Sequence, residues 1–434
     1  MRVRLNTTFQ SLQVRNYRLF AIGQLVKLIG VWMMFTTQDW LVFLLGGTAT
    51  ELGIVTALQF APVLLLTLIS GRLADRYDKR KILFTANSVW FVLTVTFSIL
   101  VVSGTAQLWH VYVFAAMLGV ASAVETPVRQ AFVSELVETP LLPNALGLSA
   151  ATFNSARVIG PSIAGVAIAL FDVGPVFVFS AALAVAPLVC MILLRANELH
   201  RDELVPVAER EPARVIDGLR YVWRRPDLVL PMALMGTLAV ALFNFPITLQ
   251  ALAKTGFNTG AAAFGLFTTA LGLGSLAGAL VGSNRRSRPS VYTVIIAAMV
   301  FSAFGILVGV LQVYWLVVAA LVPTGFFMIF FAQAANQRVQ LGTDAAFRGR
   351  VMALWVFVFM GTNPIAGPFI GWLAAHYGAG TAIWMGGVVA LTVTTTALVA
   401  QLRRSGSRLL LRLRPVPRLL VVPVTPVPAV AERV

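Results

Sequence analysis

The feature that most limits how this chain can fold is a series of twelve apolar runs, each about twenty residues or longer. About twenty apolar residues carry an α-helix across the hydrocarbon core of a bilayer, where every backbone polar group must be satisfied within its own segment. The runs lie at 17–45, 52–73, 82–103, 108–128, 145–171 and 175–194, and again at 228–253, 261–282, 291–311, 314–337, 351–377 and 381–402. A chain that is 58% hydrophobic and only 12% charged is also far from the composition of a soluble domain. The pattern predicts an all-α integral membrane protein of twelve transmembrane helices. Its parts are an N-terminal tail (1–16), a six-helix bundle (17–194), a polar linker (195–226), a second six-helix bundle (227–402) and a tail (403–434). The tail's arginines and closely spaced prolines predict disorder.

The net charge of +16 would in a soluble domain point to nucleic acid. Here its placement points elsewhere. With the N-terminus in the cytoplasm, the inner segments hold 30 of the 33 Lys and Arg, the outer loops hold Lys254 alone, and Lys27 and Arg157 fall within spans. Basic residues gather on the cytoplasmic side of membrane proteins. The count therefore predicts a multi-pass protein of a bacterial cytoplasmic (inner) membrane, both termini cytoplasmic, with no nucleic-acid partner. The first sixteen residues lack the short apolar core and cleavage site of a secretory signal. Cys190 is the single cysteine, so no internal disulfide and no thiolate cage can form.

The halves repeat. Gly71 and Leu73 match Gly278 and Leu280, Gln130 matches Gln337, and Gly160-Pro161 matches Gly367-Pro368, all at an offset of 207 residues. Two pseudo-symmetric six-helix bundles around a midplane site are an arrangement of secondary transporters. No Gly-x-x-x-x-Gly-Lys-Ser/Thr phosphate loop, nucleophile elbow or His-Glu-x-x-His motif is present, so no enzyme, cofactor or metal is expected. The loose dinucleotide pattern at 272–277 has no strand before it. Gly274, Gly278 and Gly282 fall four apart on one helical face, as in a close-packing seam. Trp109, Tyr112, Trp315, Trp372 and Tyr377 read as an aromatic belt at the outer interface.

Charges placed at membrane depth are functional candidates by default. Lys27 lies ten residues into the first run, about 15 Å deep. Arg157 lies near the middle of the fifth, one turn from Asn154, and should face a polar cavity or a carboxylate. Asp39 stands toward the outer end of the first run and reads equally as a protonatable group or an interfacial acid. These four are the candidates for substrate or proton coupling. Glu125, beside Arg129 toward the inner end of the fourth run, reads as an inner-gate ion pair. Gly160-Pro161 is expected to interrupt the fifth span, since proline removes a backbone donor and bends a helix.

The loop Gly71-Arg72-Leu73-Ala74-Asp75-Arg76-Tyr77-Asp78-Lys79-Arg80-Lys81 resembles the signature loop of the major facilitator superfamily. Gln38-Asp39-Trp40-Leu41-Val42, Pro127-Val128-Arg129-Gln130-Ala131, 153–161 and Arg348-Gly349-Arg350-Val351-Met352 resemble its bacterial branch of enterobactin exporters and macrolide or multidrug efflux proteins. The likeness covers about residues 10–402. It departs at Asp78, where the superfamily loop usually has glycine, and in the second-half copy, where Gly282 replaces the counterpart of Asp75. The resemblance implies a cytoplasmic latch between the halves at Gly71, Asp75, Arg76 and Arg80. Its carboxylate would sit near the start of span eleven, where a helix N-terminus favours negative charge. It also implies helix bends at Gly160, Pro161, Gly367 and Pro368, and a cavity lined by spans 1, 4, 7 and 10. The expected protein is a monomeric, proton-coupled exporter of amphipathic small molecules working by alternating access. A solute importer is the alternative, and a non-transporting receptor on the same fold is less favoured.

Overall fold

The computed structural model describes residues 9–200, 215–283, 287–344, 347–405, 407–412 and 418–423, with backbone alone at 67–76, 154, 215–216, 283, 349 and in the two strands. Among the described residues twelve helices are long and apolar enough to cross a membrane. Spans one to five are Arg15–Leu44, Ala49–Arg76, Lys79–Val102, Leu108–Leu136 and Leu142–Phe171. Span six is in two pieces, Val173–Leu183 and Val185–Leu193. A short linker helix, Val215–Trp223, precedes span seven, which is again in pieces: Pro226–Ala241, Phe245–Ala251 and a π-turn Leu252–Gly256. Spans eight to ten are Ala261–Ser283, Val291–Val310 and Tyr314–Gly342. Span eleven is Arg348–Met360 plus Asn363–Tyr377, and span twelve is Ala379–Ser405.

The even span count puts both ends of the bundle on one side, here the basic face; the other is the far face. One apolar core lies in the second half, and two lie in the first, one toward each face. The halves mix only in part: Ile247 and Ala261 join the far-face core of the first half, and Ala49 joins the core of the second. Many large apolar side chains remain exposed on the outside, among them Ile159, Val166 and Leu170 of span five. In water these would be a liability; in lipid they are the solvated surface.

Five expectations need correction or refinement. Span four runs eight residues past the end of its apolar run, so Arg129 lies inside a helix. The N-terminal tail ends sooner than Asn16: Gln10–Gln13 forms a short 3-10 helix, the buried Ser11 donates to Asn144 Oδ1 at 2.7 Å, and span one starts at Arg15. Asp78 acts locally, capping span three by accepting from the backbone N–H of Arg80 at 2.9 Å, which a glycine could not do with a side chain. The tail expected to be disordered carries a two-stranded antiparallel ladder, β1 (Ser407–Arg412) against β2 (Arg418–Pro423).

The fifth concerns Gly160-Pro161, which does not interrupt span five; the helix is continuous from Leu142 to Phe171. Span eleven does break, but at Gly361-Thr362, ahead of Pro364 and not at Gly367-Pro368. Span seven breaks between Leu242 and Asn244, ahead of Pro246. In both, proline sits in the first turn of the new segment, where its missing N–H costs nothing. The small-residue seam is as expected. A Cβ on Gly274 would collide with the carbonyl of Val322, one on Gly278 with that of Phe326, and one on Gly325 with that of Leu271, so spans eight and ten pack backbone to backbone.

Candidate functional site

The far face is where the two halves close on each other, and small residues do the closing. Gly53 of span two abuts the Gly367 carbonyl of span eleven, and Gly371 abuts that of Ala49. Span five meets span eight through Gly165 on Gly265 and through the hydroxyls of Ser162 and Thr269, 2.7 Å apart. Gln250 of span seven donates to the Thr36 carbonyl of span one at 3.2 Å. Lys254 lies 5.7 Å from the Trp40 ring centroid. At the basic face, by contrast, the ion pairs among the described residues stay within one half. Lys79 binds Glu135 at 2.6 Å in the first half. In the second, Asp227 holds Arg225 at 3.0 Å and Arg288 at 2.7 Å.

Inside the first half, Lys27, Glu125 and Arg129 come together. Lys27 Nζ lies 2.7 Å and Arg129 Nε 3.2 Å from Glu125 Oε1. Lys27 and Glu125 are 5% and 6% exposed, so this is a buried pair with a second cation at its edge. The depths agree because span four is longer than its apolar run. Lys27 is twelve residues from the start of span one, and Glu125 eleven from the end of span four, which is about 17 Å from the basic end for each. Sequence reasoning had Glu125 with Arg129 and missed Lys27 as its partner. Gln24 and Gln38, also in span one, keep both side-chain amide atoms buried without a hydrogen-bond partner among the described residues.

Arg157 is not held by a carboxylate among the described residues. Its guanidinium carbon stands 5.7 Å from the Trp32 ring centroid. Trp32 in turn meets Phe153 edge-on at 5.9 Å and Phe35 at 5.8 Å, and Phe35 lies 6.5 Å from Trp90. Gly160 makes this possible: a Cβ there would come 2.5 Å from the Trp32 Cβ, so the residue brings span five against span one. Gly367 has the equivalent duty against span two. The tryptophan at mid-membrane was not singled out from sequence, although tryptophan is ordinarily an interfacial residue and one near the centre of a span is a signal.

The remaining candidates are dispersed. Asp39 is partly buried in the far half of span one, and no hydrogen bond or ion pair ties it among the described residues. Arg80 donates to the Met191 carbonyl at 2.7 Å, capping the end of span six within its own half. The side chains of Gly71, Asp75, Arg76 and Asn154 lie outside the described residues, so the latch rests on sequence. Among the described residues no group of three or more His, Cys, Asp or Glu could hold a metal.

Residues 6–421 match the family described as transmembrane secretion effector, a group of major facilitator proteins. The chain belongs to this family. It is 28% identical over 267 residues to the staphyloferrin A transporter of Staphylococcus aureus (strain NCTC 8325 / PS 47), across 60% of this chain and 65% of that protein. The chain thus spans slightly less than two thirds of that relative. It is 25% identical over 344 residues to the multidrug efflux pump Tap of Mycolicibacterium fortuitum, covering 76% of this chain and 83% of the pump. It is also 24% identical over 345 residues to the enterobactin exporter EntS of Shigella boydii serotype 4 (strain Sb227), covering 79% of each. The fold matches the crystal structure of the nucleoside transporter NupG with a TM-score of 0.71 at 10% identity, over 89% of this chain and 98% of that one. As a major facilitator chain it is a multi-pass membrane protein whose family and relatives are transporters and not enzymes.

Proposed function

We propose that this protein is a secondary active transporter that exports amphipathic small molecules in exchange for protons, by rocking its two halves about a central cavity. The observation that carries the reading is the buried Lys27–Glu125–Arg129 cluster in a half whose far face is sealed against the other. A carboxylate at that depth is costly unless paired or protonated. Proton uptake by Glu125 would release Lys27 and loosen span one from span four. That couples a proton to the element carrying Trp32, Thr36 and Trp40, the last two of which meet the second half. The names of the multidrug and siderophore relatives support an exporter of amphipathic compounds. In this reading the membrane is a bacterial cytoplasmic one, both termini are cytoplasmic and the protein works as a monomer. Asp75, with Gly71, Arg76 and Arg80, acts as the latch that holds the basic face closed in the opposite state.

The double variant Lys27→Met/Glu125→Gln tests the coupling. It removes one charge of each sign, so the cluster keeps its net charge of one positive, and Arg129 is left as it is. In proteoliposomes loaded with a panel of a macrolide, a dye and a siderophore, the wild type should concentrate at least one of them when a proton gradient is imposed. The double variant should exchange that compound without concentrating it. Gradient-driven accumulation that survives in the double variant refutes the coupling role, and absence of exchange for every compound in the wild type refutes export of this class.

A further inference from the structure

We propose that Arg157, lying against Trp32, is an oxyanion-binding subsite that takes a carboxylate or phenolate borne on an apolar or aromatic body. The inference rests on the transport reading above and narrows it to a substrate class. Span five shows three faces. Ile159, Ile163, Val166 and Leu170 are exposed along one side and meet lipid. Gly160 packs on span one, whereas Val158 meets Gly272 of span eight and Gly165 meets Gly265. At 100° per residue, Arg157 falls between the face toward span one and the face toward span eight, opposite the lipid side. That sector faces the junction where span one and span eight of the other half meet span five.

The charge balance there is incomplete. The two other cations set at membrane depth in the first half, Lys27 and Arg129, share Glu125. Among the described residues Arg157 has only the face of Trp32, and an aromatic quadrupole compensates a guanidinium at membrane depth only in part. Its planar fork of N–H donors matches two carboxylate oxygens at once. Trp32, with Phe153 and Phe35 edge-on to it, sets an aromatic surface beside the guanidinium, which fits the apolar body of the same ligand. The bond from Gln250 to Thr36 closes the space one helical turn beyond Trp32, toward the far face. Asp39, seven residues on from Trp32 and so on the same face of span one about 10 Å farther out, sets a carboxylate beyond that ceiling.

The purified full-length protein in nanodiscs should bind 2-naphthoate at least tenfold more tightly than its neutral isostere 2-naphthamide, and 2-naphthylmethylammonium least of all. Arg157→Gln should abolish the preference for the anion, and Arg157→Lys should keep part of it. Equal affinities in the wild type, no saturable binding of the naphthoate, or a preference unchanged in Arg157→Gln overturns the assignment; the wild-type comparison holds even if a variant fails to accumulate. Flux of the three probes in proteoliposomes separates the two claims. Flux without anion preference sinks the subsite and spares transport, whereas an anion preference in binding with no flux of any probe counts against transport alone.

Discussion

Breaking the Lys27–Glu125 pair from each side should give unequal losses, and the geometry fixes which is larger. At an effective dielectric constant of about 20, charges 2.7 Å apart attract by about 6 kcal/mol, and the Arg129–Glu125 contact at 3.2 Å by about 5 kcal/mol. Desolvation offsets most of this, and removing one partner of a buried pair typically costs about 3–5 kcal/mol. Glu125→Gln leaves the buried Lys27 facing Arg129 at its edge and should lose the full amount. Lys27→Met leaves Glu125 with Arg129, so its loss should be smaller. The double variant removes one charge of each sign and should fall closer to wild type than Glu125→Gln does. Unfolding free energies of the four proteins in mixed detergent micelles complete the cycle. A coupling energy under about 0.5 kcal/mol, the limit for independent sites, or a larger loss for Lys27→Met than for Glu125→Gln, would refute the pairing.

Gly274→Ala should destabilise by about 1–3 kcal/mol, as overpacking does, because its Cβ would meet the Val322 carbonyl. Gly147→Ala, with open space around it, should be neutral or stabilise by up to about 1 kcal/mol; thermal melts in detergent compare them. Gly371→Leu should wedge the seam against Ala49, and in a Cys190→Ser background a cysteine at Gln250 should then react severalfold faster with an impermeant thiol reagent from the far side. Unchanged labelling would mean the far face is not held shut there. A reporter fused after Leu402 should read cytoplasmic and one inserted at 46–49 periplasmic, and the reverse would overturn the orientation taken from the basic residues.

The twelve helices were legible because lipid leaves little choice: an apolar run of that length forms a helix that crosses. Their ends were less so. Span four outruns its apolar stretch because Arg129 pairs with Glu125 and Glu135 with Lys79, which makes two further turns of polar helix tolerable. The Lys79 pairing is long-range and absent from any window of sequence. The same blindness hid Lys27 from Glu125, 98 residues apart, once the depth of Glu125 had been judged from a helix drawn too short. At Gly160-Pro161 local chemistry pointed to an interruption, but the helix runs on through it and the glycine serves a neighbour across a contact. The breaks in spans seven and eleven, before Pro246 and Pro364, carry the ordinary helix-start signal of a proline in the first turn. Arg157 was recognisable by its depth. Its partner was not, since a ring face leaves no charge pattern to read.

A closure made from glycines against carbonyl oxygens has no rotamers. Where side chains plug a pore, one of them can swing aside for nanoseconds and let a proton or a sodium ion slip through. On the far face of this protein the contacts of Gly53, Gly165, Gly265, Gly367 and Gly371 can part only if whole helices separate. Leak through them and turnover then share a single motion, so any substitution that makes the resting protein leak at this seam should also change how often it cycles.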